Sequence, residues 1–186
     1  MREYIVIKII LFMLNTNVGI KEESLSNHSK CYLYRLAQAI VRNAANDSEI
    51  ASLIAIGYKE SKFNYQGIKH FTSPNGKHCG IYQQSPQFAK LEGKRLNCKD
   101  LQSSETATAQ AVNYLHYIAD AYGKGWESIC HYNSGNSCNN GSRRYAKDYK
   151  SKYDKVMKMI GGKNKSFDSF STESLGDYEQ KCVGFK

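Results

Sequence analysis

Six cysteines restrict the fold of this 186-residue chain more than any other feature of its sequence. None lies in the first 30 residues, and they occupy positions Cys31, Cys79, Cys98, Cys130, Cys138 and Cys182. Their spacing includes no CxxC pair and no other arrangement of zinc ligands. An even number of cysteines without such spacing is typical of disulfide bonds formed in an oxidising compartment. The sequence therefore predicts three disulfides and an exported protein.

The pairing of these cysteines is a separate question, because six cysteines can combine in 15 ways. Spacing alone does not choose among them. One arrangement would close two short loops and connect the two ends of the chain, with the pairs Cys130–Cys138, Cys79–Cys98 and Cys31–Cys182.

The first 20 residues resemble a secretion signal. Residues 4–14 are apolar apart from Lys8, and this stretch is too short to span a bilayer. Residues 1–20 are therefore predicted to be a signal peptide or an N-terminal apolar segment, and the alternative is an N-terminal helix packed on the body. Together with the cysteines, the segment favours export to the periplasm, the medium or a virion.

Helical periodicity dominates residues 31–160, which are predicted to form one domain. Apolar side chains recur at helical spacing, first at Leu33, Leu36, Ala37, Ile40, Val41 and Ala44. Further helices are predicted at about residues 47–61, 105–122, 126–132 and 143–160. Asn46, followed by Glu49, has the form of a capping box at the start of the second helix.

The segment between the second and third of these helices has a different character. Residues 62–104 show no long period and contain both prolines and several glycines, which are typical of turns and short strands. The sequence therefore predicts a mainly α fold, a helical bundle with a small irregular or β insert after the second helix. Residues 161–186 are predicted to be a C-terminal tail held by Cys182.

The chain is strongly basic, with a formal net charge of +9. Such a charge favours polyanions, which include nucleic acid, anionic lipid and an anionic cell wall. No stretch matches a zinc finger, an RNA-recognition signature or a basic zipper, so no nucleic-acid partner is predicted.

Glu60 occupies an unusual position for a carboxylate. It lies seven residues after Leu53 and three after Gly57, so it continues the apolar face of its helix. Desolvation at such a position raises the pKa of a carboxyl group, which suits a general acid that protonates a glycosidic oxygen. The alternative is a carboxylate in the last helical turn that is hydrogen-bonded or exposed to solvent.

Four segments, in order, carry a resemblance to a known family. Residues 60–64 read Glu-Ser-Lys-Phe-Asn, residues 80–86 Gly-Ile-Tyr-Gln-Gln-Ser-Pro, residues 131–135 His-Tyr-Asn-Ser-Gly and residues 145–146 Tyr-Ala. This series resembles the soluble lytic transglycosylase family, which has the goose-type lysozyme fold. The resemblance therefore implies a fold of the α+β lysozyme-like kind. The family pattern is Glu-Ser-x-Phe-Asn, Gly-Leu-Met-Gln-x-x-Pro, Ala-Tyr-Asn-Ala-Gly and Tyr-Ala. The resemblance covers about residues 33–157.

The resemblance implies roles for individual residues. Glu60 matches the catalytic acid of the family, and Ser61 matches the serine that helps to orient the carboxyl group. Tyr82 stands where the family usually has methionine, and His131 where it usually has alanine. The expected substrate-binding residues are Ser61, Tyr82, Gln83, Tyr132, Asn133 and Tyr145.

The resemblance also implies a reaction. Lytic transglycosylases break the β-1,4 bond between MurNAc and GlcNAc of peptidoglycan and close a 1,6-anhydro ring on MurNAc. A single acid is compatible with such a route, and residues 61–91 contain no other acid. A second carboxylate could reach Glu60 through the fold from Glu105, Asp120 or Glu127. The alternatives are a lysozyme-type hydrolase of the same bond and a catalytically silent wall-binding component of a virion or secretion apparatus.

The reaction requires no metal and no organic cofactor. His70, His78 and Cys79 could form a metal cluster, but their spacing fits no zinc pattern. The expected partner is the glycan strand of peptidoglycan, bound by a monomer. A secretion machine or a phage assembly is a further candidate partner.

Overall fold

The computed structural model of the protein describes residues 1–184 and is mainly α-helical. Its eight α-helices are α1 (Arg2–Val18), α2 (Asn27–Asn43), α3 (Asp47–Ser61), α4 (Ser104–Tyr122), α5 (Cys130–Ser134), α6 (Asn140–Ile160), α7 (Lys165–Asp168) and α8 (Leu175–Cys182). Two strands, β1 (Lys90–Leu91) and β2 (Lys94–Arg95), form an antiparallel pair within the segment between α3 and α4. The predicted fold class, a helical bundle with a small β insert after the second helix of the body, is confirmed.

Local sequence signals begin most of these helices. Side-chain oxygens accept hydrogen bonds from backbone N–H groups three residues further on at Ser26, Asn46, Ser103 and Asn139. At the start of α3 the predicted capping box takes a different form. The Glu49 carboxylate accepts from the backbone N–H of Ala45, at 2.8 Å, and not from that of Asn46.

The core lies where α3 packs against α6 and α2 packs against α1 and α4. On α2, Leu33, Leu36 and Ile40 are fully buried, and on α3 so are Leu53 and Ile54. These are the side chains whose helical spacing marks the predicted apolar faces. Burial of one such face on each helix therefore sets how α2 and α3 are oriented in the bundle.

The N-terminal segment forms α1, which packs on α2 and α6 and buries eight of its side chains, residues 6–7 and 9–14. Phe12 makes edge-to-face contacts with Phe167 and Phe170 at centroid distances of 5.6 and 5.4 Å. Removal of residues 1–20 during export stays a prediction. Within residues 1–184, no helix combines the length and the apolarity needed to cross a membrane.

The C-terminal segment is folded onto the bundle in its described part. It contains α7 and α8, and α8 packs on α2. Tyr178 is fully buried, stacks on Tyr34 and donates a hydrogen bond to the Glu22 carboxylate. Lys30 forms an ion pair with Glu173 at 2.8 Å. The last two residues lie outside the described part of the chain.

Three disulfides connect the six cysteines: Cys31–Cys182, Cys79–Cys98 and Cys130–Cys138. These are the three pairs named above as one arrangement among 15. The first joins α2 to the end of α8. The second closes a loop of the insert, and the third closes the loop between α5 and α6.

Candidate active site

A tight turn directly after α3 positions the last residues of that helix. Lys62, Phe63 and Asn64 all have positive φ values, of 51°, 63° and 45°. This left-handed conformation is unfavourable for residues with a Cβ, and tertiary contacts must maintain it. The Phe63 side chain is fully buried, and the Asn64 amide bonds to both backbone groups of Ile68. Helix α3 therefore ends sharply, with Glu60 in its last turn.

The Glu60 side chain is half-buried and has one strong polar partner. The Tyr145 hydroxyl, from α6, donates a hydrogen bond to Oε1 of Glu60. Desolvation raises the pKa of the Glu60 carboxyl above its usual value, although the Tyr145 hydrogen bond and the charges of Lys59 and Lys62 act in the opposite direction. Glu60 therefore keeps its proton to a higher pH than an exposed glutamate, as a general acid requires.

Two tyrosines surround this carboxyl group. Burial, and secondly the charge of Glu60, raise the pKa of both Tyr132 and Tyr145 well above the usual value, so both hydroxyls remain protonated. The Tyr132 hydroxyl, from α5, donates to the backbone carbonyl of Tyr82 at 3.1 Å. The Tyr132 ring lies 5.2 Å from that of Tyr114. Tyr132 thus connects the surroundings of Glu60 with the insert and with α4.

Gly80 allows the insert to approach the start of α4. Its φ is +71°, and a Cβ placed there would lie only 1.9 Å from the backbone carbonyl oxygen of Leu101. The Gly80 carbonyl accepts a hydrogen bond of 2.8 Å from the side-chain amide of Gln83. Only glycine fits this position, because both the backbone conformation and the space exclude a side chain.

A groove of about 650 Å³ runs between the insert and the helices α4 and α5. Amide groups and aromatic rings line it, among them those of Gln83, Phe88, Tyr114, Tyr132 and Asn133. Tyr132 lines the groove and also interacts with the charge of Glu60, so this side chain links the groove to the candidate acid, which is not itself among the lining residues. A concave site with a few placed polar groups and a perturbed carboxyl is typical of an active site.

Comparison with protein-family models identifies a domain in the chain. The model of the transglycosylase SLT domain matches residues 38–155. The chain belongs to this family. The matched region covers every predicted site residue from Glu60 to Tyr145 and supports a function of the peptidoglycan lytic transglycosylase type. Searches of curated proteins and of solved structures each found no match.

Four of the residues predicted to bind substrate in this SLT domain lie at the groove or at Glu60. Gln83, Tyr132 and Asn133 line the groove, and Tyr145 contacts Glu60 directly. Tyr114 and Phe88 are groove residues that sequence reasoning did not select. Tyr114 belongs to the apolar stripe of α4. Phe88 is 73% exposed, and its only signal is a large apolar side chain within an irregular, glycine-rich segment.

The other two predicted residues of the SLT domain, Tyr82 and Ser61, have side chains that do not line the groove. The Tyr82 side chain is only 1% exposed and packs beside Gly57 on α3. Its ring therefore belongs to the core, and its carbonyl holds Tyr132. The Ser61 hydroxyl donates to the Gly57 carbonyl at 3.2 Å, within its own helix. The role of Ser61 in orienting the carboxyl group stays a prediction.

The three candidate second carboxylates lie elsewhere in the SLT domain. Glu105 bonds to Arg42 and to Asn43, on the rim of a different pocket, which lies between α2 and the start of α4. Asp120 and Glu127 are exposed on the far parts of α4 and the following turn. Within residues 1–184, no carboxylate is among the groups that shift the pKa of Glu60.

Groups that could bind a metal do not form a competent site in the SLT domain. Cys130, His131 and Cys138 place their ligand atoms within 4.8 Å of one another, but both sulfur atoms belong to one disulfide. Cys79 is likewise paired, with Cys98, so it cannot join His70 and His78 as a thiolate ligand. His131 instead stacks on Tyr122 at a centroid distance of 3.6 Å.

Proposed function

We propose that this protein is an exported lytic transglycosylase that cleaves the β-1,4 bond between MurNAc and GlcNAc in peptidoglycan, with Glu60 as its acid and base. One observation carries the proposal: the desolvated Glu60 carboxyl accepts a hydrogen bond from the Tyr145 hydroxyl, and Tyr132 links it to the groove. Membership of the SLT family and three disulfides support export to the place where peptidoglycan is found.

In the first step, protonated Glu60 donates its proton to the bridging oxygen between the two sugars. The bond from that oxygen to C1 of MurNAc breaks, and GlcNAc leaves with a new hydroxyl group. The positive charge that develops at C1 is stabilised by the 2-acetamido group of the same sugar. Glu60 is now a carboxylate, and the hydrogen bond from Tyr145 stabilises this charged form.

In the second step, the Glu60 carboxylate removes the proton from the C6 hydroxyl of MurNAc, and the C6 oxygen bonds to C1. The product carries a 1,6-anhydro ring, no water is consumed, and Glu60 regains its proton. One carboxyl group performs both proton transfers, so this route is compatible with the absence of a second carboxylate among the described groups that act on Glu60.

The groove supplies the contacts that a glycan requires. Side-chain amides of Gln83 and Asn133 can bond to sugar hydroxyl and acetamido groups, and the rings of Phe88 and Tyr114 offer apolar faces. The net charge of +9 favours encounter with an anionic wall.

Product analysis tests the proposed reaction. We expect purified wild-type protein to release fragments with anhydro-MurNAc ends from peptidoglycan, one water lighter than the hydrated form, measured by mass spectrometry. Reducing MurNAc ends would instead identify a lysozyme-type hydrolase that uses the same acid. No release from walls that a known lytic enzyme digests would contradict both activities.

Replacing Tyr145 with Phe is expected to lower kcat by about ten- to a hundredfold, because a hydrogen bond to a charged group contributes about 1.5–3 kcal/mol. The hydrogen bond from Tyr145 lowers the pKa of Glu60, so its loss raises that pKa further. Activity depends on the protonated acid, and the alkaline limb of the pH–rate profile should therefore move to higher pH. Both effects are measured from kcat as a function of pH.

Tyr153→Phe is the matched control for this change. Tyr153 also lies on α6, and its hydroxyl shares a hydrogen bond of 2.9 Å with Ser48, away from Glu60. We expect its pH profile to coincide with that of the wild type. A Tyr145→Phe profile displaced to lower pH would refute the assigned direction of the Tyr145 interaction.

A further inference from the structure

Three lysines and one aspartate lie next to the candidate acid. The lysine cluster consists of Lys59 and Lys62, from the end of α3, and Lys152 from α6. Lys59 and Lys152 both form ion pairs with Asp148, the latter at 2.6 Å. Two of the three ammonium groups thus share one carboxylate, and the cluster has an excess of positive charge.

Aromatic rings hold these ammonium groups in place. Nζ of Lys62 lies 4.2 Å from the centre of the Tyr58 ring, and Nζ of Lys152 lies 5.5 Å from the same centre. Nζ of Lys59 lies 4.5 Å from the ring centre of Tyr145, whose hydroxyl donates to Glu60. Cation–π contacts of this kind favour a defined position for a side chain that is otherwise mobile. The cluster is therefore a fixed positive surface that begins at the residues contacting Glu60.

Lys62 is the member of the cluster whose ammonium group can still accept an ion-pair partner. Within residues 1–184 no carboxylate lies within ion-pair distance of its ammonium group. Partial burial, followed by the charges of Lys152 and Lys59, lowers the pKa of Lys62 below its usual value. A bound anion would reduce this repulsion and restore favourable interactions for the ammonium group. The cluster thus has the charge and the free donor that an anionic ligand requires.

We propose that the lysine cluster binds a carboxylate of the stem peptide carried by the MurNAc residue at the scissile bond. This assignment rests on the proposed function. The stem peptide is attached through the lactyl group on C3 of the sugar whose C1 reacts at Glu60. An anion attached to that sugar must lie close to the catalytic carboxyl. The cluster reaches that carboxyl through Lys59, whose Nζ lies 4.5 Å from the ring centre of Tyr145, the residue that donates a hydrogen bond to Glu60.

A second wall anion, the phosphate of teichoic acid, fits the position less well. Teichoic acid is joined to MurNAc through the C6 hydroxyl group. The proposed ring closure uses the same hydroxyl, so a substituted sugar cannot be the one that reacts. The stem-peptide carboxylate is the anion that is compatible with a reacting MurNAc residue.

The cluster would make the enzyme selective for glycan strands that carry peptides. Its contribution is measured by a ratio: kcat/KM on peptide-bearing glycan divided by kcat/KM on glycan from which an amidase has removed the peptides. Any effect of Lys62 on the Glu60 carboxyl acts on both substrates and cancels in this ratio. The ratio therefore isolates recognition of the peptide from the chemistry of bond cleavage.

The test compares wild type with the double variant Lys62→Gln/Lys152→Gln on walls freed of teichoic acid. We expect the ratio to fall by about three- to twentyfold, since each exposed ion pair changes an affinity by up to about fivefold. The control is Lys147→Gln/Lys158→Gln, which removes two exposed charges from α6 outside the cluster and should leave the ratio unchanged. Amidation of the stem carboxylates should lower the wild-type ratio in the same way.

An unchanged ratio in the double variant, or a wild-type preference that survives amidation, would overturn the assignment. A change seen only on walls that retain teichoic acid would also overturn it, in favour of phosphate. A separate binding experiment is independent of cleavage: free stem peptide is titrated into Glu60→Gln protein, with and without the two cluster substitutions, and followed by NMR. One outcome separates the two proposals. If the wild type cleaves neither glycan but the free peptide still binds and requires the cluster lysines, the proposed function is refuted and the cluster assignment is supported.

Discussion

Replacing Glu60 with Gln is expected to reduce the release of glycan fragments from peptidoglycan by about a thousandfold, within the usual contribution of a general acid. Glutamine has nearly the same shape and can still accept the hydrogen bond from Tyr145. It cannot donate a proton to the bridging oxygen or take one from the C6 hydroxyl. The rate of release of soluble fragments, measured on the same batch of walls for both proteins, gives the factor.

The same substitution, which lowers activity, is expected to leave the stability of the folded protein unchanged or to raise it. Desolvation raises the pKa of Glu60 in the folded protein above its value in the unfolded chain. The folded protein thus binds this proton more tightly, and stability falls as pH rises from the unfolded pKa to the folded pKa. Above that range the carboxylate costs stability, and a neutral amide does not. At neutral pH the variant should therefore unfold at the same temperature as the wild type or at a higher one.

Glu127→Gln is the matched control for the activity measurement. Glu127 is exposed and was one of the three acids considered as a second carboxylate. We expect this variant to retain wild-type activity. More than about a tenth of wild-type activity in a folded Glu60→Gln protein would rule out Glu60 as the general acid. Another group of the protein would then have to supply the proton.

Replacing Gly80 with Ala is expected to lower the free energy of unfolding by about 2–5 kcal/mol. Two costs combine at this position. Alanine is unfavourable at a φ of +71°, and its Cβ would lie 1.9 Å from the Leu101 carbonyl oxygen, so the backbone must move. Because the Gly80 carbonyl also accepts from Gln83, the shift should disturb the groove as well. Urea denaturation followed by circular dichroism measures the loss.

Gly76→Ala separates these two costs. Gly76 lies in the same insert with a similar φ of +68°. Among the described residues other than its two chain neighbours, however, none has a heavy atom within 4 Å of the place that a Cβ would take there. We expect a loss of only about 1 kcal/mol, from the backbone conformation alone. Equal losses for the two variants would show that the approach of Gly80 to Leu101 contributes nothing to stability.

Much of the helical body follows from local sequence. The periodic apolar residues of α2 predict a buried face, and those residues are fully buried in the structure. The predicted bounds of α3, residues 47–61, agree with those observed, since Asn46 caps its start. Periodicity and capping depend on neighbours within one or two turns, so they can be read from the chain directly.

Short or irregular elements were harder to predict for the same reason. Helices α7 and α8, of four and eight residues, are too short to show a period, and the segment was predicted only as a tail. Contacts that no local pattern records hold them in place, such as those of Phe167 with Phe12 and of Tyr178 with Glu22. Isolated helices of this length are not stable, so tertiary packing decides whether they form.

Within the candidate site, the residues that carry the chemistry could be identified from the sequence: a carboxyl group on an apolar helical face, and motif residues that match the SLT family. Their partners could be identified from the tertiary structure alone. It brings Tyr145 to Glu60 across 85 positions of the chain and Asp148 to Lys59 across 89, and it buries Tyr82 while exposing Phe88. The physical reason is that desolvation and hydrogen bonding depend on distances in space, and helix packing, which spacing along the chain does not encode, sets those distances.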